Sequence, residues 1–313
     1  MNGFPYDNFH RPVVKHRVYQ PTWAEPSRLA YTRALANILP QLIAAGKADS
    51  SPATVGSIST LPIGWPGNDD DLQVELAGKQ LRALAHELQA IEDQSGMRIL
   101  VAIEPEPGCI LDRCQDVVKF FSSQLPDANH RRYLTVCHDV CHSAVMFEDQ
   151  TEALETYARE GIMIGKVQVS SAIDLRLDTL TADEQLAARA QLKGFAEDRY
   201  LHQTGCLDSQ GDFRLVEDLP NWLSSDESQR DRRIRVHFHV PIFASRLGHL
   251  ATTRDDIETC LDVMASPGAP EFSGHWEVET YAWTVMPKEL RADGLGADIE
   301  RELNWFRSAI ANR

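Results

Sequence analysis

Apolar runs and helical patterns alternate along most of the chain. Helical apolar spacing covers residues 28–45, 75–93, 112–123, 150–159, 182–197, 254–265 and 296–311. Strand-like runs cover residues 55–64, 98–104, 133–139, 162–170, 233–240 and 275–281. Strands that alternate with helices indicate parallel strands joined by helical crossovers. The pattern therefore predicts an α/β fold.

Polar residues interrupt these strands close to their carboxyl ends. A strand buried on both faces should be almost continuously apolar, so ionisable side chains inside it need partners or a metal ion. The interrupting residues are Glu104, Asp139, His142, Lys166, Gln168, His237, His239, Glu277 and Glu279. In an open sheet a site concentrates at one switch point, whereas the strand ends of a closed barrel converge. No GxGxxG or GxxxxGK[ST] motif occurs, so we predict a TIM (β/α)8 barrel.

The predicted barrel is short at its amino terminus. Complete strands begin at about residue 55, and residues 1–10 (MNGFPYDNFH) resemble the carboxyl tip of another strand. We therefore expect residues 1–313 to form a single barrel domain that lacks its first strand and most of its second. An insertion at about 199–232, rich in Asp, Ser, Gly and Pro, is predicted to form a loop over the barrel mouth.

Side chains two residues apart share a strand face, and in a barrel that face is the lumen. Hard carboxylate oxygens with one imidazole suit Mn²⁺ or Mg²⁺, and Zn²⁺ or Fe²⁺ would also be accepted. The predicted metal ligands are Glu104, Asp139, His239 and Glu279, with Gln168 as a further candidate. Glu104 and Glu279 could also move a proton of an oxygen-rich substrate, His142 could hold a substrate oxygen, and Lys166 could polarise a carbonyl.

Structural interpretations compete with these roles at several positions. Lys166 and Glu277 could form only a buried ion pair. His237 is interpreted as a core or supporting histidine, because it lies nearer the middle of its strand. Glu106, between Pro105 and Pro107, is interpreted as a loop carboxylate beyond the strand.

Composition restricts the partners and the compartment. A net charge of −15 argues against nucleic acid or anionic lipid as a partner. No apolar stretch approaches the roughly 20 residues of a membrane-spanning helix, so no membrane insertion is expected. The amino terminus does not resemble a secretory signal, and six cysteines in 313 residues do not indicate a disulfide framework. We expect a cytoplasmic protein.

The strand-end residues resemble those of the xylose-isomerase-like barrels, a superfamily of sugar isomerases, epimerases and metal-dependent AP endonucleases. Members typically carry a metal-binding Glu after strand four, DxxH after strand five, a His after strand six and a Glu after strand eight. Here IEPEP supplies Glu104, DVCH supplies Asp139 and His142, and VETYAW supplies Glu279. Gln168 stands where the ligand His is usual, and His239 from the next strand could replace it.

Longer strings resemble the EboE family of this superfamily, which is associated with metabolite traffic. They are NGFPYxxFHRxVVK (residues 2–15), GSISTLP (56–62), KVQVSSA (166–172), HFHVP (237–241) and EVETYxW (277–283). The EboE resemblance implies a role in moving or processing a small metabolite and an ebo-cluster protein as partner. The strand-end site suggests an isomerase or epimerase acting on an oxygen-rich metabolite, and a second copy could pair across the edge left by the missing strands. A non-catalytic metabolite-binding accessory of a transport pathway and a metal-dependent phosphoesterase stay open as alternatives.

Overall fold

A computed structural model describes residues 1–45, 55–279, 281–288, 291 and 294–313. Its strands are β1 (Val55–Thr60), β2 (Arg98–Ile103), β3 (Leu134–Asp139), β4 (Ile164–Val169), β5 (Ile173–Arg176), β6 (Thr204–Asp208), β7 (Phe213–Val216), β8 (Asp231–Val236), β9 (Arg246–Leu247), β10 (Leu250–Thr252) and β11 (Trp276–Val278). Its α-helices are α1 (Pro26–Ala45), α2 (Asp70–Ser95), α3 (Cys114–Gln124), α4 (Ala128–Arg131), α5 (Val140–Val145), α6 (Gln150–Arg159), α7 (Ala182–Leu192), α8 (Leu219–Ser224), α9 (Arg254–Met264) and α10 (Leu295–Ala311). The predicted strand 275–281 includes Thr280, which lies outside the described residues.

The first sheet contains five parallel strands in the order β1-β2-β3-β4-β11. The alternating side chains of one face pack under the helices in the main core, where Ile58, Val101, Val136 and Val167 are fully buried. The opposite, concave face carries the polar residues, since Asp139 pairs with Gln168 and Gln168 pairs with Glu277 in register. The α/β prediction and the parallel order of the first four strands are therefore confirmed.

The two edges of this sheet approach each other. Residues 1–3 pair in parallel with β1, through a bridge between Asn2 and Ser59 and a 3.0 Å hydrogen bond from Gly3 N to Ser59 O. Ser57 Oγ, on the same edge strand, lies 2.5 Å from Nδ1 of His275, which directly precedes β11. The sheet is thus a parallel half-barrel that is curved enough for side chains to join its edges. Closure into an eight-stranded barrel, and the absence of its first strands, stay predictions.

The predicted placement of residues 233–240 in the parallel sheet is wrong. This segment contributes β8 to a second, antiparallel sheet with the order β7-β6-β8-β5-β10-β9, and β11 pairs directly with β4 instead. Ile234, Val236 and Phe238 face a separate apolar core that includes Phe195 and Trp222. The stretch 199–232, predicted as an insertion that forms a loop over the barrel mouth, contains the β6–β7 hairpin and α8.

Helix ends explain how the chain turns between these elements. The Asp69 side chain accepts a hydrogen bond from Leu72 N and begins α2, and Gly96, with a φ of 69°, ends it in the left-handed region that favours glycine. Among the described residues, no helix combines the length and apolar character needed to cross a membrane.

Candidate metal centre and cavity

Three carboxylates meet at the carboxyl ends of the parallel strands. Glu104 directly follows β2, Asp139 ends β3 and Glu279 directly follows β11. Each offers an oxygen, and these atoms lie within 4.8 Å of one another. Glu104 and Asp139 are buried at 3% and 2% exposure. Because like charges this close repel each other in a buried place, the cluster needs protons or a cation.

His239 completes the predicted ligand set from the second sheet. It follows β8, and its ring spans two of the carboxylates: Nε2 lies 3.9 Å from Asp139 Oδ2 and Nδ1 lies 3.6 Å from Glu279 Oε2. The structure therefore brings Glu104, Asp139, His239 and Glu279 together. His239 reaches the cluster from a neighbouring sheet and not from the barrel strand that the sequence pattern suggested.

Gln168 lies in register with Asp139 on β4 and is fully buried. Neither its Oε1 nor its Nε2 has a hydrogen-bond partner within the described part of the chain, and the same holds for Glu104 Oε2 and Asp139 Oδ2. A buried polar atom without a partner is costly, so native structures rarely leave several together. These buried polar atoms could complete their hydrogen bonding or coordination by holding a ligand.

His142 is held by local backbone geometry. Asp139 Oδ1 accepts hydrogen bonds from His142 N at 3.0 Å and from Ser170 Oγ at 2.7 Å, which fixes the DxxH turn at the start of α5. His142 Nδ1 donates to the carbonyl oxygen of Pro105 at 2.8 Å. The ring consequently presents Nε2, which lies 3.8 Å from Asp139 Oδ2 and 3.2 Å from His237 Nε2.

A second network, which the sequence interpretation missed, surrounds Glu106 and His237. The Tyr19 hydroxyl donates to Glu106 Oε1 at 2.8 Å, and Gln203 Nε2 donates to the same oxygen at 3.1 Å. Gln203 Oε1 accepts from His237 Nδ1 at 2.8 Å. Glu106 is buried at 6% exposure and belongs to the cavity, because the loop after β2 turns inward. The two-residue alternation predicts that His237 and His239 share a face, and both line the cavity.

Burial sets the ionisation of the site. Burial and the neighbouring Asp139 raise the pKa of Glu104 to about 7, and burial with Glu104 and Asp139 raises the pKa of Glu279 well above its usual range. Burial lowers the pKa of His239 to about 4 and the pKa of His237 well below its ordinary value. Burial opposes a charge on His142, but Asp139, Glu106 and Glu104 raise its pKa. Neutral imidazoles are the form that binds metal ions.

Lys166 lies beneath the carboxylates and is fully buried. Its Nζ is 2.7 Å from Glu277 Oε2 and 3.5 Å from Ser59 Oγ, so the predicted ion pair is present. Lys166 does not line the cavity described next, and neither do Asp139 and Gln168. A catalytic role for Lys166 stays a prediction.

A cavity of about 240 Å³ opens above the carboxylate cluster. Its floor consists of Glu104, Glu106, His142, His237, His239 and Glu279. Its wall comes mainly from residues 4–19 and 200–201, which include a stacked Phe9–Tyr200 pair with ring centroids 4.7 Å apart. Of the predicted site residues, Glu104, His142, His239 and Glu279 are therefore accessible to a small molecule.

Comparisons with known proteins are sparse. No protein-family model matches the chain, and no curated protein matches it. One solved structure that it resembles is a xylose isomerase-like TIM barrel protein from Mycobacterium smegmatis in complex with magnesium. The two share 10% sequence identity with a TM-score of 0.43, over 91% of this chain and 68% of that one.

Proposed function

We propose that this chain is an EboE-like protein of the xylose-isomerase-like barrel type, which binds a divalent metal ion and isomerises or epimerises a small oxygen-rich metabolite. The supporting observation is the cluster of Glu104, Asp139 and Glu279, where buried polar atoms of Glu104, Asp139 and Gln168 lack hydrogen-bond partners among the described residues. The motif resemblance supplies the reaction class.

The donor set fits a hard divalent cation. Carboxylate oxygens from Glu104, Asp139 and Glu279 with one His239 nitrogen suit Mn²⁺ or Mg²⁺, and the Gln168 Oε1 could add a further oxygen. When bound, such an ion would supply Lewis-acid polarisation of a substrate oxygen. Burial, with Asp139 as a neighbour, raises the pKa of Glu104 and Glu279, and a cation would neutralise the negative charge that this burial disfavours.

The accessible residues could handle the proton. Glu279 lines the cavity, and its carboxylate form could accept a proton from a substrate carbon and return it to a neighbouring one. His142, with its Nδ1 fixed on Pro105, could hold a substrate oxygen through Nε2. The buried Lys166–Glu277 pair would position the strands below.

The test measures metal first and turnover second. Elemental analysis of the purified protein should find close to one Mn, Mg, Zn or Fe per chain, and Glu104→Ala/Asp139→Ala should lose it. The matched control is Glu155→Ala/Asp255→Ala, which removes the same charge from exposed positions. Glu279→Gln should then abolish turnover of keto sugars or polyols. No metal after supplementation would overturn the proposal, and metal without turnover would favour a metabolite-binding accessory protein.

One observation favours a phosphoesterase as a second candidate. Glu106, His142 and His237 form a further group of ligand atoms within 4.8 Å of one another, directly beside the first group. Two adjacent cations stabilise phosphoryl displacement. Hydrolysis of bis(p-nitrophenyl) phosphate with two metal ions per chain would support this candidate, and a single ion without hydrolysis would reject it.

A further inference from the structure

The wall of the cavity differs in chemistry from its floor. The floor holds carboxylates and imidazoles, whereas the wall presents Phe4, Phe9, Val14, Val18, Tyr200 and Leu201. Phe4, Val14, Tyr200 and Leu201 are buried, so these side chains form a packed surface that a ligand would meet directly.

Polar groups within the wall are largely engaged by the protein. The Tyr200 hydroxyl donates to the Phe9 carbonyl oxygen at 3.2 Å, and the Tyr19 hydroxyl donates to Glu106. Lys15 Nζ forms an ion pair with Asp218. His10 also lines the cavity but is exposed. A ligand that extends from the floor past this wall therefore meets carbon atoms more than hydrogen-bonding groups.

This arrangement disfavours a simple sugar that fills the whole cavity. A sugar carries a hydroxyl on nearly every carbon, and a hydroxyl buried without a partner lowers affinity. A methylene chain or ring in the same place gains affinity by leaving water. The floor, in contrast, with its proposed metal ion, suits a ligand group that carries chelating oxygen atoms.

We propose that the natural ligand is amphipathic, with a chelating oxygen-rich head on the floor and an apolar alkyl or ring portion against the wall of Phe4, Phe9, Val14, Val18, Tyr200 and Leu201. This inference rests on the proposed metal centre for the head. It narrows the substrate class from free sugars to oxygenated metabolites that carry a hydrocarbon portion.

Alkyl hydroxamates test the inference, because every member has the same metal-chelating head and only the tail changes. Calorimetric titration of the Mn²⁺-loaded protein would compare acetohydroxamate, butanohydroxamate, hexanohydroxamate and octanohydroxamate. We expect affinity to rise by roughly threefold to fourfold per methylene until the tail passes the opening. Xylitol and fructose should bind more weakly than hexanohydroxamate.

A pair of matched variants locates the effect. Val18→Asn places an amide in the wall, whereas Val13→Asn makes the same change on the same segment at a residue that is 50% exposed and does not line the cavity. In Val18→Asn, the ratio of the affinity for octanohydroxamate to that for acetohydroxamate should fall at least severalfold. In Val13→Asn, this ratio should stay as in the wild type. Thermal unfolding of both variants checks that they fold.

The outcomes separate this inference from the metal proposal. Equal affinity for all tails, or equal effects of the two variants, would overturn the amphipathic ligand even if metal is present. A tail-length dependence that survives removal of metal by EDTA would support the apolar subsite and count against the metal-centred head. No binding by any hydroxamate to protein with measured stoichiometric metal would overturn the inference.

Discussion

The Nε2 atoms of His142 and His237 face each other at a distance of 3.2 Å. The Nδ1 atom of each ring donates a hydrogen bond, from His142 to the Pro105 carbonyl and from His237 to Gln203 Oε1. Gln203 Oε1 is the acceptor because the amide nitrogen of Gln203 faces the Glu106 carboxylate. In the protein alone, one ring must therefore carry a second proton on Nε2 and donate it to the other.

Carboxylates decide which ring holds that proton. Despite burial, Asp139, Glu106 and Glu104 raise the pKa of His142, whereas burial and the His142 charge lower that of His237. In metal-free protein at pH 6, below the raised pKa of His142, we expect a doubly protonated His142 and a neutral His237, visible in ¹⁵N spectra of the imidazoles. The imidazolium signal should vanish in His142→Gln and persist in His130→Gln, a control outside the cavity. A neutral His142 at pH 6 would contradict this arrangement.

Glu104 should destabilise the metal-free fold at neutral and higher pH. Its folded pKa of about 7 exceeds its ordinary value of 4.5, mainly because of burial, so the folded state binds the proton more tightly than the unfolded state. The contribution of this proton to the free energy of unfolding is fully present below about pH 4.5. It is lost as pH rises through 7, because Glu104 must then ionise in the folded protein. Glu104→Gln should therefore be more stable than wild type by about 2–3 kcal/mol at pH 8, and the difference should shrink towards pH 5.

Urea denaturation of both proteins in EDTA at several pH values measures this difference. Glu155→Gln, at an exposed position, is the matched control and should show no comparable trend with pH. Equal stability of wild type and Glu104→Gln at pH 8 would mean that other groups of the protein stabilise the negative charge of Glu104 without a metal ion.

Metal affinity should fall as the solution becomes more acidic. Metal ligands must be deprotonated, and the pKa of Glu104 is about 7 while that of Glu279 is raised well above its usual range, both mainly through burial. Binding of Mn²⁺ should then release about one to two protons near neutral pH, and affinity should weaken by about tenfold or more between pH 7 and 6. Titration calorimetry in buffers of different ionisation enthalpy counts the protons. An affinity independent of pH between 5.5 and 8 would argue against these carboxylates as ligands.

The strand-end pattern predicted several of the side chains that lie together, because side-chain parity along a strand is a local property. Glu104 and Asp139 share the concave face of the parallel sheet as the two-residue alternation requires, and the DxxH spacing places His142 beside Asp139. Glu279 also reaches the cluster, although it follows a three-residue strand.

Strand partners were not predictable in the same way. Pairing depends on contacts between segments far apart in sequence, so the pattern did not reveal that β11 would bypass β8 and join β4. One local signal was present: Arg233-Ile234-Arg235-Val236 alternates polar and apolar residues, which is typical of an antiparallel strand with one buried face. Glu106 lies in the loop beyond β2 as predicted, but its burial in the cavity was not predicted, because the path of the loop beyond Pro105 depends on Tyr19 and Gln203, which are distant in sequence.

The Lys166–Glu277 pair should respond unequally to loss of either partner. Lys166 is fully buried, whereas the Glu277 side chain is 31% exposed and can recover water. Glu277→Gln leaves a buried ammonium without its closest counter-charge, so we expect a loss of about 2–3 kcal/mol. Lys166→Met replaces the ammonium with an apolar chain of similar length and should cost about 1 kcal/mol or less. Urea denaturation of both variants and of the double variant would measure the asymmetry, and a larger loss for Lys166→Met would show that the ammonium supports Glu104 as much as Glu277.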